Sequence, residues 1–133
     1  MSYRWSDLWL NEGFASFIEN LGVDHIHPDW HMVDQFAVTT TQEALNLDAL
    51  ESSHPIQAAV ENPSEIEAIF DVISYKKGAA LIRMLENFLT FDVLRVGLSR
   101  YLHKYQFRNA KTKDLWRCLS EASPNAAINV SKM

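Results

Sequence analysis

Apolar and polar positions recur with the period of an α-helix along most of the chain. The clearest pattern runs from Tyr75 through Leu89. Its apolar positions lie three and four residues apart, at Ala79, Leu81, Ile82, Leu85, Phe88 and Leu89. This spacing is typical of a helix with one buried face. Only four glycines and four prolines occur, and no stretch alternates cleanly between polar and apolar residues. The pattern therefore predicts an all-α fold.

Capping residues mark the beginnings and ends of the first predicted helices. Asp7 is a favourable N-cap residue for a helix that ends near Leu21, with Gly22 as its stop signal. His27-Pro28-Asp29 predicts a second helix start, because proline is well tolerated in the first helical turn.

The segment from Met32 to Leu50 has helical spacing with a weak centre. The polar block Thr39-Thr40-Thr41-Gln42 interrupts its apolar pattern, and threonine has a low helix propensity. After it, a loop is predicted around Pro55, which disfavours helical angles at His54. Later helix starts are predicted at Asn62 with Pro63, at Asp92 and at Thr112 or Lys113, with the last helix ending near Pro124.

One carboxylate lies inside the apolar stretch Leu8-Trp9-Leu10-Asn11-Glu12-Gly13-Phe14-Ala15-Ser16-Phe17. On a helix, the neighbours of Glu12 three and four residues away are apolar or small. An unpaired buried carboxylate is costly and tends to become protonated. Glu12 could lie at a helix boundary and reach water, pair with a buried arginine or lysine, or bind a metal ion. The spacing alone leaves these three interpretations open.

Composition and charge exclude several classes of protein. Hydrophobic residues make up 47% of the 133-residue chain, which is enough for a sizeable core. A net charge of −5 argues against a nucleic-acid partner, since such surfaces are clustered and basic. A single cysteine cannot form an internal disulfide. No apolar run approaches the ~18 residues that indicate a membrane segment. Nothing in the sequence indicates a cellular location.

Three motifs resemble one family of enzymes. The stretch Trp5-Ser6-Asp7-Leu8-Trp9-Leu10-Asn11-Glu12-Gly13-Phe14-Ala15 resembles the third-ligand motif of zinc aminopeptidases of the membrane alanyl aminopeptidase family. It is most similar to the oxytocinase-type and endoplasmic-reticulum members. Asp48-Ala49-Leu50-Glu51-Ser52-Ser53-His54-Pro55-Ile56 and Phe70-Asp71-Val72-Ile73-Ser74-Tyr75-Lys76-Lys77-Gly78-Ala79 follow in the order found in that family.

The resemblance implies a role for particular residues. Glu12 matches the third ligand of a catalytic Zn²⁺, and Tyr75 matches the tyrosine that stabilises the transition state. Asp7 and Asn11 are expected either to cap the first helix or to orient Glu12, with capping favoured. The implied fold is the helical C-terminal half of a thermolysin-like metallopeptidase catalytic domain, in agreement with the helical pattern.

The other zinc ligands of the family are not found in this sequence. The family supplies two histidines and a general base from a His-Glu-x-x-His helix, and that motif is absent. His27 and His31 have the same separation, but Pro28 stands where the glutamate should be. Residues 1–133 are therefore predicted to form a single partial domain that lacks the His-Glu-x-x-His helix.

The predicted function is that of a fragment of a zinc-dependent aminopeptidase that hydrolyses N-terminal residues from peptides. The expected partners are peptide substrates and the rest of the catalytic domain, against which Trp9, Phe14 and Phe17 are predicted to present an exposed apolar face. The alternative is a catalytically inactive helical scaffold or a partner-binding module.

Overall fold

The computed structural model describes residues 5–123, which form helices and connecting loops. No strand occurs in this range, so the all-α prediction is confirmed for it. None of these helices combines the length and apolar character needed to cross a membrane. The α-helices are α1 (Leu8–Ile26), α2 (Met32–Phe36), α3 (Glu43–Asp48), α4 (Gly78–Leu89), α5 (Phe91–Tyr105) and α6 (Thr112–Ala122).

Two π-helical turns interrupt the regular hydrogen-bond pattern. The first π turn, Ala37–Gln42, joins α2 to α3 and contains the polar block that weakened the predicted helix. The second π turn, Ile73–Lys77, leads directly into α4 and contains Tyr75. Single π turns are frequent at functional sites. Short 3₁₀ turns occupy Trp5–Asp7, Pro28–Trp30, Pro63–Glu65 and Glu67–Ile69.

The first helix is longer than its sequence predicted. It begins directly after Asp7 but continues through Gly22 to Ile26, so the prediction that Gly22 stops it is wrong. Gly22 does not adopt the positive φ of a glycine C-cap. Instead the helix ends at His27, whose φ of −127° and ψ of 71° leave the helical region. This position precedes Pro28, and a following proline disfavours helical angles.

The described residues form two compact units, with the boundary after Arg83. The core of the first unit consists of Leu8, Leu10, Phe17, Phe36, Ala44, Ile69, Ile73, Ala79 and Ile82. The core of the second unit consists of Leu89, Leu94, Ala110, Leu115, Cys118 and Leu119.

Phe17 does not belong to an exposed face, contrary to the prediction. Its side chain is only 3% exposed, and its ring packs edge-on against that of Phe36 with 6.3 Å between centroids. Trp9 and Phe14 are half-buried. The face of α1 that carries Phe17 therefore already has a partner inside the first unit.

Of the two helix starts predicted in the second unit, that of α6 is confirmed and the N-cap of α5 is wrong. Asp92 was predicted to cap α5, but it lies inside the first turn and is 3.6 Å from Arg95. The cap position belongs to Thr90, which has a φ of 78°. The start of α6 at Thr112 is as predicted, and its predicted stop at Pro124 lies outside the described residues.

Candidate active site

The helices α1 and α4 touch backbone to backbone at two glycines. A Cβ atom on Gly13 would lie 2.6 Å from the carbonyl carbon of Gly78, and one on Gly78 would lie 2.9 Å from the carbonyl oxygen of Trp9. Only glycine permits so close an approach. Glu12 precedes Gly13, and Tyr75 lies on the turn that leads into Gly78. The glycine contact therefore brings the two predicted site residues together.

Tyr75 and Glu12 are direct neighbours in the structure. The hydroxyl of Tyr75 lies close enough to the carboxylate of Glu12 for the two groups to interact, and both residues are partly exposed. Burial raises the pKa of the Tyr75 phenol above its usual value of 10.0, and the bond to Glu12 and its negative charge raise it further. The phenol therefore stays neutral at physiological pH and keeps its proton for donation.

The side chain of Asp7 contacts Gln57 and does not cap α1. It occupies the N-cap position of α1, but its side chain makes no capping hydrogen bond to the helix. The buried carboxylate instead accepts a hydrogen bond from Gln57 Nε2 at 3.1 Å. Asn11 lies within α1 with an exposed side chain, which is not a cap position. That either residue orients Glu12 stays a prediction.

Two lysines fasten the second π turn to the preceding helices. Lys77 Nζ is 2.7 Å from the carboxylate of Asp48, at the end of α3. Lys76 forms an ion pair with Glu43 and donates to the carbonyl oxygen of Thr39 at 3.0 Å. The hydrogen bond from Lys77 is the main cause that lowers the pKa of Asp48. These contacts hold the C-terminal end of the turn.

The beginning of the second π turn is held by a histidine and an aspartate. His54 Nε2 is 2.7 Å from Asp71 Oδ2, and Asp71 Oδ1 accepts the backbone N–H of Ser74 at 3.0 Å. Sequence reasoning gave these residues no role. Both residues lie in the motifs that resemble the family. Hydrophobic periodicity cannot reveal contacts between segments that are far apart in sequence, such as His54 with Asp71, 17 residues apart, or Asp48 with Lys77, 29 residues apart.

Glu12 offers one of the donors that zinc requires, and the described residues do not complete a site. Carboxylate oxygen is a common zinc ligand, and a catalytic zinc takes three protein ligands. Within residues 5–123, no three His, Cys, Asp or Glu side chains converge to hold a metal ion. His27 stacks on Trp30 with 4.5 Å between ring centroids, and His31 has a left-handed φ of 50°. These two histidines therefore do not share one face of an α-helix.

Comparison with known proteins gives one consistent result. The model of the peptidase family M1 domain matches residues 2–133. Glutamyl aminopeptidase of Sus scrofa is 51% identical over 119 residues, which are 90% of this chain and 13% of that protein. Aminopeptidase M1-D of Oryza sativa subsp. japonica is 47% identical over 126 residues, 95% of this chain and 14% of that protein. Aminopeptidase 2 of Candida albicans is 45% identical over the same length and with the same coverage.

The chain spans only 13–14% of the length of these curated relatives. The aligned part nevertheless includes nearly all of this sequence. The family model extends over the three motifs and the helices between them.

Proposed function

Because the chain belongs to peptidase family M1, we propose that it forms part of the catalytic domain of a zinc-dependent aminopeptidase, which hydrolyses N-terminal residues from peptides. Residues 1–133 would be the helical C-terminal part of that domain. The His-Glu-x-x-His helix would come from another segment of the complete protein. Peptide substrates and the rest of the catalytic domain would be the partners of this chain.

The observation that carries this proposal is the close backbone contact of Gly13 with Gly78, which brings Tyr75 beside Glu12. Glu12 would be the third protein ligand of the metal. Bound zinc would supply an activated water and polarise the scissile carbonyl. The neutral phenol of Tyr75, beside Glu12, would donate a hydrogen bond to the carbonyl oxygen as negative charge develops there. Donors placed in this way stabilise the transition state more than the ground state.

Unsatisfied groups in the first unit support the presence of a larger domain around it. The indole Nε1 of Trp9 is buried and has no hydrogen-bond partner among the described residues. Large apolar side chains with much exposed surface are Trp5, Ile18, Ile26, Trp30, Val38, Leu45, Leu47, Leu50 and Phe70. The rest of the catalytic domain would cover some of these side chains.

Replacing Glu12 by alanine in the complete protein tests the proposal. We expect zinc affinity to fall by more than ~100-fold and aminopeptidase activity to fall with it, since even loss of an outer partner of a metal ligand costs about 10–100-fold. The measurements are zinc content after dialysis against a chelator and hydrolysis of an amino-acid anilide. The matched control is Glu19→Ala, because Glu19 is an exposed glutamate on the same helix.

Normal zinc content in the Glu12→Ala protein would contradict the assignment of Glu12 as a ligand. Absence of peptide hydrolysis by the zinc-loaded wild-type protein would contradict the proposed activity itself. Loss of zinc in the Glu19→Ala control would show that the helix, rather than the ligand, had been damaged.

A further inference from the structure

Both nitrogens of the His54 ring contact hydrogen-bond acceptors. Nδ1 is 2.8 Å from the carbonyl oxygen of Pro55, and Nε2 is 2.7 Å from Asp71 Oδ2. A carbonyl and a carboxylate both accept hydrogen bonds, so this arrangement favours the doubly protonated ring, an imidazolium cation. In that form the bond from His54 to Asp71 is charge-assisted.

Asp71 connects this histidine to the turn that carries Tyr75. Its second carboxylate oxygen accepts the N–H of Ser74 at 3.0 Å, and its backbone carbonyl accepts the N–H of Tyr75 at 3.1 Å. The amide of Ser74 lies in the first turn, where a side chain can supply the acceptor that the helix lacks. Asp71 thus accepts hydrogen bonds from two amides of the second π turn, and its contact with His54 orients its carboxylate.

We infer that His54 is a positioning residue for catalysis. Acting through Asp71, it holds the second π turn so that the Tyr75 hydroxyl can donate to the reacting carbonyl oxygen. This inference rests on the proposed function, because it takes Tyr75 as the donor to the substrate. Lys76 and Lys77 hold the other end of the same turn. Histidine is the residue type whose charge ordinarily changes between pH 5 and 8, so we expect the contact of His54 to vary in strength with pH.

The charged groups of the described residues that face His54 are Asp71, Lys77 and Asp48. The hydrogen bond to Pro55 raises the pKa of His54 above 6.5, burial opposes this, Asp71 raises the pKa again and Lys77 lowers it. A raised pKa means that the cation favours the folded state. Its contribution is complete below pH 6.5 and is lost as the pH rises through the folded-state pKa.

The test is a double-mutant cycle in the complete enzyme, with His54→Gln made alone and in combination with Tyr75→Phe. In the wild-type background we expect kcat to fall about tenfold with KM within about twofold, since a misplacement of ~1 Å can cost about 10²-fold. In the Tyr75→Phe background the same change should lower kcat less than about twofold, because the group to be positioned is gone. Equal losses in both backgrounds would overturn the inference.

Two further variants complete the design. Asp71→Asn keeps an oxygen that can accept from Ser74 but removes the charge, so it should reproduce the effect of His54→Gln and replaces it if that variant does not fold. His103→Gln is the matched control, because His103 is an exposed histidine of the second unit, and its Nδ1 lies 2.8 Å from the carbonyl oxygen of Ser99 within α5. It should leave kcat unchanged.

The pH profile supplies a readout that a purely structural role would not move. The ratio of wild-type to His54→Gln kcat should be largest at acidic pH and approach one as His54 becomes neutral. A ratio that does not change with pH would count against the imidazolium as the active form.

Hydrogen exchange separates this inference from the proposed function. Amide exchange in the second π turn should be faster in the His54→Gln protein than in wild type. If the complete protein hydrolyses no peptide, the proposed function fails, while faster exchange still supports the hold of His54 on the turn. Unchanged exchange would refute that hold, whatever the activity.

Discussion

Replacing Tyr75 by phenylalanine in the complete enzyme is expected to lower kcat by about 10²–10³-fold with little change in KM. The ring remains and only the hydroxyl is lost, so binding of the ground state should be preserved. Removal of one donor to a developing oxyanion typically costs this much, or about 3–4 kcal/mol of transition-state stabilisation. Zinc content should stay normal, because phenol oxygen is not among the expected ligands. Steady-state kinetics and metal analysis check both statements.

The matched control for this change is Tyr101→Phe. Tyr101 is a partly buried tyrosine of the second unit, and burial is also the main cause that raises its pKa. Removal of its hydroxyl should leave kcat unchanged. If the Tyr75→Phe enzyme keeps more than about a third of wild-type kcat, against the ~10²-fold expectation, the catalytic assignment of Tyr75 must be abandoned.

Replacing Gly13 by alanine is expected to damage stability and activity together. The added Cβ would lie 2.6 Å from the carbonyl carbon and 2.9 Å from the Cα of Gly78, so backbone rather than a side-chain tip must move. Overpacking of this kind costs about 1–3 kcal/mol, and the gain of up to ~1 kcal/mol from better helix propensity does not offset it. Separation of α1 from α4 would also move Glu12 away from Tyr75. Thermal unfolding and kcat measure the two effects.

The same substitution on the same helix at Gly22 provides the control. Among residues 5–123, no atom beyond its chain neighbours and the backbone of its own helix lies within 4 Å of a Cβ placed on Gly22, and Gly22 has no positive φ. Gly22→Ala should therefore be neutral or stabilising by up to about 1 kcal/mol. If Gly13→Ala behaves like Gly22→Ala, the close backbone contact does not determine the geometry of the site.

The sequence predicted the helices whose pattern and packing agree. The spacing of apolar residues identified α4 well, because Ala79, Ile82 and Leu89 are all buried. The prediction that Gly22 ends α1 was wrong, because a glycine C-cap requires the left-handed backbone conformation and Gly22 does not adopt it. Phe17 was misassigned because its partner, Phe36, is on another helix, and periodicity cannot distinguish a face that packs within the unit from one that packs elsewhere.

Motif resemblance, rather than spacing, identified Glu12 and Tyr75 as site candidates. The spacing could place Glu12 on an apolar helix but could not choose between water, an ion pair and a metal. The residues that hold the second π turn were less visible. Asp48, His54 and Asp71 act through contacts between distant segments, and each is unremarkable among its sequence neighbours. Only the tertiary arrangement reveals why these residue types occur in the motifs.

The second π turn also constrains how many residues the chain can have at this place. A π turn holds an extra residue compared with an α-helical turn, and each residue advances an α-helix by about 100°. Deleting one residue between Asp71 and Gly78 would rotate one side of the turn relative to the other. Either Tyr75 would leave Glu12 or Gly78 would leave Gly13. We therefore expect the length of this segment to be as constant among functional enzymes as Tyr75 itself.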